Sequence, residues 1–372
     1  MPPSTCRVST DWSFRGLRAI TLENRLVRTT ILPDHGGKIH EFVFKPSDRD
    51  FLYHNPRCPP RTPVYGMNVD NWWSGGIDEA IPTGHACVFK GEEYPYLGEV
   101  WSQPWSWDVV EDRPERVEVH LSCHAIIAPL RVERWHYLLA DRPILYTRHR
   151  VTNVGIHPCE FLWGIHPAFA VTPACRIDLP AGKIWVAEST PDGHLGERGS
   201  TYTWPYAHER DGTPVDMRRV PPMEVGWQEF HHAIELREGW VALTDTDARE
   251  GVAMTFPLEV FNTAWLWLVY GGWRDLYSAA LEAWTGYPAK LSDAVAEGRC
   301  ARLGPGQTLA AETRLIAFQG PAGVRTILPD GQVVGINEQG PPGGGAPRRL
   351  RPRPERRIRG GQAGASAQGQ GD

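Results

Sequence analysis

RVEVHLSCHAII at residues 116–127, LRVERWHYLLA at 130–140, ILYTRHRVTNV at 144–154 and CEFLWGIHPAFAV at 159–171 decide the fold class of this chain. From Val117 to His124 apolar and polar side chains alternate, which is typical of a strand with one buried face. Only short turns separate these four stretches, so they predict neighbouring antiparallel strands. Helical periodicity is scarce along the chain. The sequence therefore predicts an all-β protein built as a large antiparallel β-sandwich.

The same pattern extends in both directions. LRAITLENRLVRTTIL at 17–32 predicts a hairpin that turns near Asn24, and the residues from Lys38 to Phe44 predict a further strand after a Gly-Gly pair. The Pro-, Asn- and Gly-rich residues 45–80 predict long surface loops, where binding groups usually lie. More strand patterns continue to residue 318. We predict one sandwich domain over residues 12–320.

The C-terminal residues differ in composition. Residues 320–346 are rich in Gly and Pro, 348–359 carry seven Arg and one Glu, and the end is of low complexity. Such a segment cannot bury a core, so residues 321–372 are predicted to be a disordered tail. Its basic run is either a solvated segment or a site for RNA or an acidic partner.

Composition excludes several classes of protein. The net charge of -5 gives no case for nucleic acid or an anionic membrane as a partner of the whole chain. There is no apolar run of about 18 residues and no secretory signal. The seven cysteines are odd in number and form no CxxC motif, which favours reduced thiols in the cytoplasm and gives no support for a zinc site.

The sequence contains an unusually large number of Trp residues, 16 in total. An indole has an apolar face and a polar N–H, so it suits surfaces that bind the flat faces of sugars, although a large sandwich also uses Trp as core filler. Trp lies beside other polar groups in four segments. These are Asn71–Glu79 with Ile81–His85, Gly98–Trp105, Trp163–Phe169 and Ala280–Pro288.

Two titratable residues in these segments are candidates for chemistry. His166 is predicted at the end of a strand, before a Pro that cannot donate to the sheet. It is either a group that titrates near neutral pH or a histidine that is hydrogen-bonded in a loop. Glu282 lies in the apolar run YSAALEAW. It either points to solvent or is buried, and a buried carboxylate needs a partner.

In this order, the segments resemble the aldose 1-epimerase (galactose mutarotase) family. Four matches carry the resemblance over about residues 18–318. They are the Gly-containing strand from Gly36, the Trp163-Gly-Ile-His-Pro-Ala-Phe motif, the Ala280-Leu-Glu-Ala-Trp segment, and Leu303-Gly-Pro-Gly-Gln before the last strands. The resemblance implies a galactose mutarotase-like sandwich and the interconversion of the anomers of a free sugar.

The resemblance also implies roles for single residues. Glu282 would be the general base that takes the proton of the anomeric hydroxyl, and His166 the general acid that protonates the ring oxygen. A carboxylate and an imidazole suit this task near neutral pH, and the scheme requires no cofactor and no metal. The substrate-binding candidates in the same segments are Trp73, Asp78, Glu79, His85, Glu99, Trp101, Trp163 and Trp284.

The chain departs from the family at two positions. Leu97 stands where many relatives have a His that helps to hold the sugar, and Ala283 stands where the family often has Pro. His85, Asp78 or Glu79 could supply the missing group from the neighbouring loop. The departure predicts that the substrate is not plain galactose.

Two other functions remain open. One is a carbohydrate-binding protein without turnover, and the other is a carbohydrate-cleaving enzyme, since fold does not fix function. A sugar-sized gap between His166 and Glu282 would favour the epimerase, and His166 buried against the core would favour binding only. Glu282 facing Asp78, Glu79 or Glu99 would favour cleavage. A phosphorylated sugar would need an arginine cluster, for which Arg57, Arg61 and Arg274 are candidates.

Overall fold

The computed structural model describes residues 5–336, which form 28 strands and one short α-helix. The first strands are β1 (Arg7–Phe14), β2 (Leu17–Glu23), β3 (Val27–Leu32), β4 (Lys38–Phe44), β5 (Arg49–Asp50), β6 (Ile77–Ala80), β7 (Cys87–Phe89), β8 (Glu92–Tyr94), β9 (Ser106–Arg113), β10 (Arg116–His124), β11 (Leu130–Leu139), β12 (Ile144–Asn153), β13 (Cys159–Phe161) and β14 (Gly164–Ala170).

The remaining elements follow in chain order. They are β15 (Cys175–Asp178), β16 (Lys183–Thr190), β17 (Thr201–Thr203), β18 (Tyr206–His208), β19 (Pro214–Asp216), β20 (Trp227–Ala233), β21 (Trp240–Asp245), β22 (Glu250–Thr255), β23 (Thr263–Tyr270), β24 (Tyr277–Trp284), α1 (Leu291–Ala296), β25 (Ala301–Leu303), β26 (Thr308–Gln319), β27 (Val324–Ile327) and β28 (Val333–Gly335), with 3-10 turns at Val69–Asn71, Val100–Ser102 and Met223–Val225.

Two large antiparallel sheets make the sandwich. The larger has 12 strands in the order β1-β2-β3-β4-β6-β14-β24-β23-β20-β16-β17, with β5 paired to β4, and the smaller has eight in the order β15-β21-β22-β26-β12-β11-β10-β9. The predicted all-β sandwich is confirmed. The predicted hairpin is also present, because β2 and β3 pair on either side of Asn24.

The main core lies between the two sheets. Leu22 and Phe42 of the larger sheet belong to the same buried apolar cluster as Val119 and Val132 of the smaller sheet. Burial of so much apolar surface is the dominant stabilising contribution to such a fold. In the larger sheet, alternation then leaves every second side chain on the face that points away from this core.

Strand β24 shows what this alternation does to function. Its Ala279, Leu281 and Ala283 lie in the core between the sheets. Glu282 and Trp284 must then point to the opposite face of the larger sheet, which we call the outer face. Both are nevertheless buried, because a second aromatic cluster covers the outer face at this point.

The structure extends beyond the predicted domain bounds of 12 and 320. Strand β1 begins at Arg7, and β27 and β28 form a hairpin after residue 320. This hairpin is ordered because Val324 is buried against Trp240 and Phe318 of the sandwich, although the surrounding Gly and Pro predicted a disordered tail. The arginine-rich run at 348–359 lies outside the described residues.

Within the predicted loop region 45–80, residues 77–80 form an inner strand instead. Strand β6 pairs with β14 and is buried on both faces, so it lacks the alternation that marks a half-exposed strand. No helix of the described residues is long and apolar enough to cross a membrane. All seven cysteines are free thiols.

Candidate active site

A pocket opens on the outer face of the larger sheet, over the neighbouring strands β14, β24, β23, β20 and β16. It encloses about 580 Å³ of space when its open mouth is included. Residues of the loops after β5, β6 and β8 and of the turn after β23 close its sides. Its walls are formed by Val69, Asp70, Trp73, Gly84, His85, Tyr96, Leu97, His166, Glu188, Gln228, Phe230, Trp265, Trp267, Trp273, Glu282 and Trp284.

His166 and Glu282 come together because their strands are neighbours. Strands β14 and β24 pair with Ile165 opposite Ala283 and Ala168 opposite Ala280, a register that sets His166 opposite Glu282. The imidazole Nε2 lies 3.5 Å from Oε1 of the carboxylate. Both side chains are buried at the wall of the pocket.

The distance corrects one expectation from the sequence. We expected an epimerase to place His166 and Glu282 on either side of a sugar-sized gap, and the two side chains are instead in near contact. The anomeric hydroxyl and the ring oxygen are bonded to the same carbon, so a base for one and an acid for the other must lie close together.

The position of His166 in its strand also differs from the prediction. Strand β14 does not end at His166 but continues through Pro167 to Ala170. The proline has no N–H to donate, yet the strand is held on one side by the bond from Ala168 N to Gly76 O. His166 therefore lies inside a rigid sheet and not in a loop.

The environment of Glu282 favours a carboxyl group with unusual basicity. Burial raises the pKa of Glu282, while the neighbouring His166 and a hydrogen bond from Trp284 act to lower it. The net effect is a pKa above its ordinary value, because burial is the largest influence. A carboxyl pKa above its ordinary value lies closer to neutral pH, and a general base is most effective when its pKa is near the working pH.

Trp284 orients this carboxylate. Its Nε1 donates a hydrogen bond of 2.7 Å to Oε2 of Glu282, and its ring stacks on Trp265 with centroids 3.7 Å apart. The ring also covers Gly164, directly across the strand pair, where any Cβ would overlap the indole. A glycine is thus required at position 164 for Trp284 to reach Glu282.

His85 lines the pocket beside Leu97, the position where the family often has His. It stacks between Tyr96 and Phe230, and its Nε2 lies 2.8 Å from the Tyr96 hydroxyl. Burial lowers the pKa of His85 to about 4, so the imidazole is neutral at pH 7. Of the three residues considered as substitutes for the missing histidine, His85 is the one that reaches the pocket wall.

Two buried nitrogens at the pocket have no hydrogen-bond partner within residues 5–336. They are Nε1 of Trp73 and Nδ1 of His166. An unpaired buried donor costs free energy, so such groups are candidates for contact with a ligand. Trp73 is held by stacking on Tyr53 and by an edge contact with Trp267.

Three of the residues predicted to bind substrate have other partners. They are Asp78, Glu79 and Trp163. Asp78 is buried in an ion pair with Lys38, whose Nζ lies 2.6 Å from Oδ2. Glu79 points toward the core, where it pairs with Arg134 and accepts a 2.8 Å hydrogen bond from Nε1 of Trp163. None of the three lines the pocket: Asp78 lies on the outer face opposite His166 but is engaged by Lys38, whereas Glu79 and Trp163 lie on the face toward the core.

Glu99 and Trp101 also have structural contacts. Glu99 is fully buried and accepts hydrogen bonds from the backbone N–H groups of residues 126–128, so it anchors the loop that follows β10. Trp101 is buried and donates to the backbone oxygen of Tyr96. Of the ten predicted site residues, those at the pocket are Trp73, His85, His166, Glu282 and Trp284.

The sequence analysis missed several pocket residues. Trp265 and Trp267 alternate in TAWLWLVY, and Gln228 alternates with Phe230 in the sequence of β20, so each pair shares one face of its strand. This period of two was the available signal for an aromatic surface. Asp70, Tyr96, Glu188 and Trp273 come from loops or exposed positions and carried no such signal.

Known structures share this architecture. The Slr1438 protein from Synechocystis sp. PCC 6803 is 19% identical, with a TM-score of 0.58 over 84% of this chain and 98% of its own. A galactose mutarotase-like protein from Clostridium acetobutylicum is 12% identical, with a TM-score of 0.58 over 85% and 99% of the two chains. The fold is galactose mutarotase-like. A possible aldose 1-epimerase from Klebsiella pneumoniae has a TM-score of 0.68 at 13% identity, over 84% and 83% of the chains.

These identities are low, so the likeness establishes the fold and leaves the reaction open. No protein-family model matches the sequence. The reaction must therefore be inferred from the side chains of the pocket itself.

Proposed function

We propose that the protein is an aldose 1-epimerase-like isomerase that interconverts the anomers of a free sugar. The contact between His166 and Glu282 at the wall of an aromatic pocket carries this proposal. It supplies one base and one acid for two oxygens on the same carbon. Each of the two groups can contribute about 10²–10⁴-fold to the rate.

Ring opening uses both groups. The Glu282 carboxylate takes the proton from the anomeric hydroxyl, and the electron pair of that O–H bond forms the carbonyl at C1. The bond from C1 to the ring oxygen breaks, and the ring oxygen receives a proton from the His166 imidazolium. The product is the open-chain aldehyde, with Glu282 protonated and His166 neutral.

Ring closure restores the protein. The bond between C1 and C2 rotates, and the hydroxyl that was the ring oxygen attacks the other face of the carbonyl. His166 takes the proton from that hydroxyl while Glu282 returns its proton to the carbonyl oxygen. The opposite anomer leaves, and the two side chains regain their starting charges without any cofactor.

The other groups of the pocket support a sugar as the ligand. Indole rings of Trp73, Trp265 and Trp267 provide apolar surfaces for the C–H face of a pyranose, and the unpaired N–H of Trp73 can donate to a hydroxyl. Gln228 and Glu188 add polar groups for further hydroxyls. Pockets with apolar walls and a few polar groups are typical of small-molecule sites.

The pairs of carboxylates considered for bond cleavage lose their support. Asp78, Glu79 and Glu99 are held by ion pairs or backbone N–H groups and do not line the pocket with Glu282.

A binding protein without turnover is favoured by one observation. Leu97 gives the pocket an apolar side chain, where many members of the family that the sequence resembles have a histidine that helps to hold the sugar.

Anomer exchange measured by NMR on a panel of free aldoses tests the proposal. We expect at least one aldose to exchange faster than the uncatalysed blank. The methyl glycoside of the same aldose is the matched control, because its O1 has no proton for Glu282 to remove, so it should bind without reacting.

Each outcome separates the candidate functions. Exchange of the free sugar with an inert methyl glycoside supports the epimerase. Release of methanol from the glycoside would show bond cleavage and contradict it. Binding of sugars without exchange of any member of the panel would contradict turnover and favour the binding protein.

A further inference from the structure

A second cleft lies beside the pocket and is lined by four arginines. They are Arg15 from the turn between β1 and β2, Arg57 and Arg61 from the loop after β5, and Arg274 from the turn before β24. The sequence suggested three of these as candidates for a cluster, and the fold brings them together. Asn55, Asn71 and the buried Leu276 complete the walls.

The arginine cleft adjoins the catalytic pocket. Asp70 lines both, so the two spaces are separated by little more than the 3-10 turn at residues 69–71. The guanidinium of Arg274 packs on the ring of Trp273, which lines the catalytic pocket, with 4.7 Å between them. The ring of Trp273 therefore lies between the pocket and the guanidinium of Arg274.

Two of the arginines are held in place by neighbouring residues. Arg61 lies 3.8 Å over the ring of Trp72 and donates through Nη2 to the backbone oxygen of Asn71. Arg274 donates through Nη1 alone, to the backbone oxygen of Asp70 and to Oδ1 of Asn71. The remaining side-chain N–H groups of Arg61 and Arg274 take no part in these hydrogen bonds.

The other two arginines, Arg15 and Arg57, are exposed. Arg57 has a side chain that is 55% exposed and lies 3.8 Å from Asp275, a pairing too long for a direct hydrogen bond. Against the four cations, the carboxylates nearby are those of Asp70 and Asp275. The cleft is therefore locally basic in a chain whose net charge is -5.

We infer that this cleft holds an anionic group of the substrate, so that the sugar in the pocket carries a phosphate ester or a carboxylate remote from C1. The inference rests on the proposed function for the identity of the sugar site. Planar arginine forks recognise both kinds of oxyanion through paired hydrogen bonds. Charge-assisted bonds of this kind raise affinity about tenfold or more.

Calorimetric titration of the Glu282→Gln variant tests the inference without interference from turnover. The probes are glucose, galactose and mannose, each compared with its 6-phosphate, together with glucuronate and galacturonate. We expect at least one anionic probe to bind about tenfold tighter than its neutral parent at low salt, with the advantage shrinking as NaCl screens the arginines. Comparison of the phosphates with the uronates identifies the oxyanion.

Three variants place the effect at the cleft. Arg57→Gln removes a guanidinium that holds no backbone group, so it should fold normally and reduce the anionic advantage several-fold. Arg57→Gln with Arg61→Gln should abolish it, provided that thermal unfolding shows an intact fold. Arg219→Gln is the matched control, because that side chain is 86% exposed and lies outside both spaces.

The outcomes also separate this inference from the proposed function. No anionic advantage, or one that persists unchanged in the double variant, overturns the inference even if free aldoses exchange anomers. An advantage that depends on Arg57 and Arg61 supports it even if no sugar is turned over. In that case the cleft stands as an anion site and the epimerase proposal alone falls.

Discussion

The indole Nε1 of Trp284 donates a 2.7 Å hydrogen bond to Oε2 of Glu282, two residues earlier on the same strand. Residues at this spacing lie on one face of a strand, so the bond is a direct consequence of the β conformation. It fixes one carboxylate oxygen and leaves Oε1, 3.5 Å from Nε2 of His166, to face the pocket. The geometry of the candidate base therefore depends on its neighbours in the sheet.

The first prediction concerns the acid limb of the pH profile. In the proposed reaction Glu282 acts as a carboxylate base, and its pKa is raised above the ordinary value of 4.5. Activity should therefore fall as the pH drops through a value above 4.5, since protonation removes the base. The measurement is kcat/KM for anomer exchange against pH, which reports the groups of the free enzyme.

Trp284→Phe should move this limb to still higher pH. The variant keeps an aromatic ring but removes the hydrogen bond that favours the charged form, so the pKa of Glu282 should rise further. A limb that does not move in Trp284→Phe, or that lies at 4.5 or below in the wild type, would assign the acid limb to a different group.

The second prediction links the site to stability. A carboxyl whose folded-state pKa is raised binds its proton more tightly in the folded than in the unfolded protein, so stability falls as the pH rises above 4.5. Glu282→Gln should therefore raise Tm at pH 7 above that of the wild type. The gain should shrink at acidic pH. An unchanged or lower Tm at pH 7 would mean that the buried charge is fully compensated.

The third prediction concerns Gly164. In Gly164→Ala the new methyl group overlaps the ring of Trp284, which must shift and lose its bond to Glu282. We expect kcat to fall about tenfold or more and stability to fall by about 1–3 kcal/mol. Gly182→Ala is the control, because a Cβ there meets its nearest neighbour, Oε2 of Glu235, at 3.4 Å. Equal losses in the two variants would contradict a specific role for Trp284.

The fourth prediction concerns the unpaired N–H of Trp73. Trp73→Phe keeps most of the ring but removes a donor that has no partner in the described protein. Sugar affinity should fall by about five- to tenfold, which corresponds to one hydrogen bond, with only the modest loss of Tm that a smaller buried ring causes. A large drop in Tm with unchanged affinity would instead make Trp73 a packing residue.

The fifth prediction treats Glu79 as a structural residue. Glu79→Gln would leave Arg134 buried beside a neutral side chain, and breaking a buried pair of this kind costs about 3–5 kcal/mol. Urea denaturation should show this loss, while KM of the remaining folded protein should stay near the wild-type value. A raised KM with unchanged stability would restore the predicted substrate contact.

The sequence predicted the fold well because alternation is a local signal. The hairpin around Asn24 and the strand from Lys38 to Phe44 could be placed within a residue, since one face of each is buried and polar residues or glycines mark the turns. Strand β6 was missed because it is buried on both faces. The hairpin of β27 and β28 was missed because its order comes from contacts with distant residues.

The site was predictable only where strand position decided it. His166 and Glu282 meet because β14 and β24 are neighbours, and the resemblance to a known family identified both. Sequence could not show that Glu79 faces the core while Glu282 faces the pocket, since both lie in buried strands. It also could not show that Arg57, Arg61 and Arg274, which are far apart in the chain, share one cleft.

The most direct measurement is the rate of anomer exchange by NMR for the wild type, His166→Ala and Glu282→Gln, on the aldose that exchanges fastest. We predict a clear acceleration by the wild type and losses of about 10²–10⁴-fold in each variant, with both variants still binding the sugar. Exchange that persists at the wild-type rate in either variant would contradict the assigned acid and base.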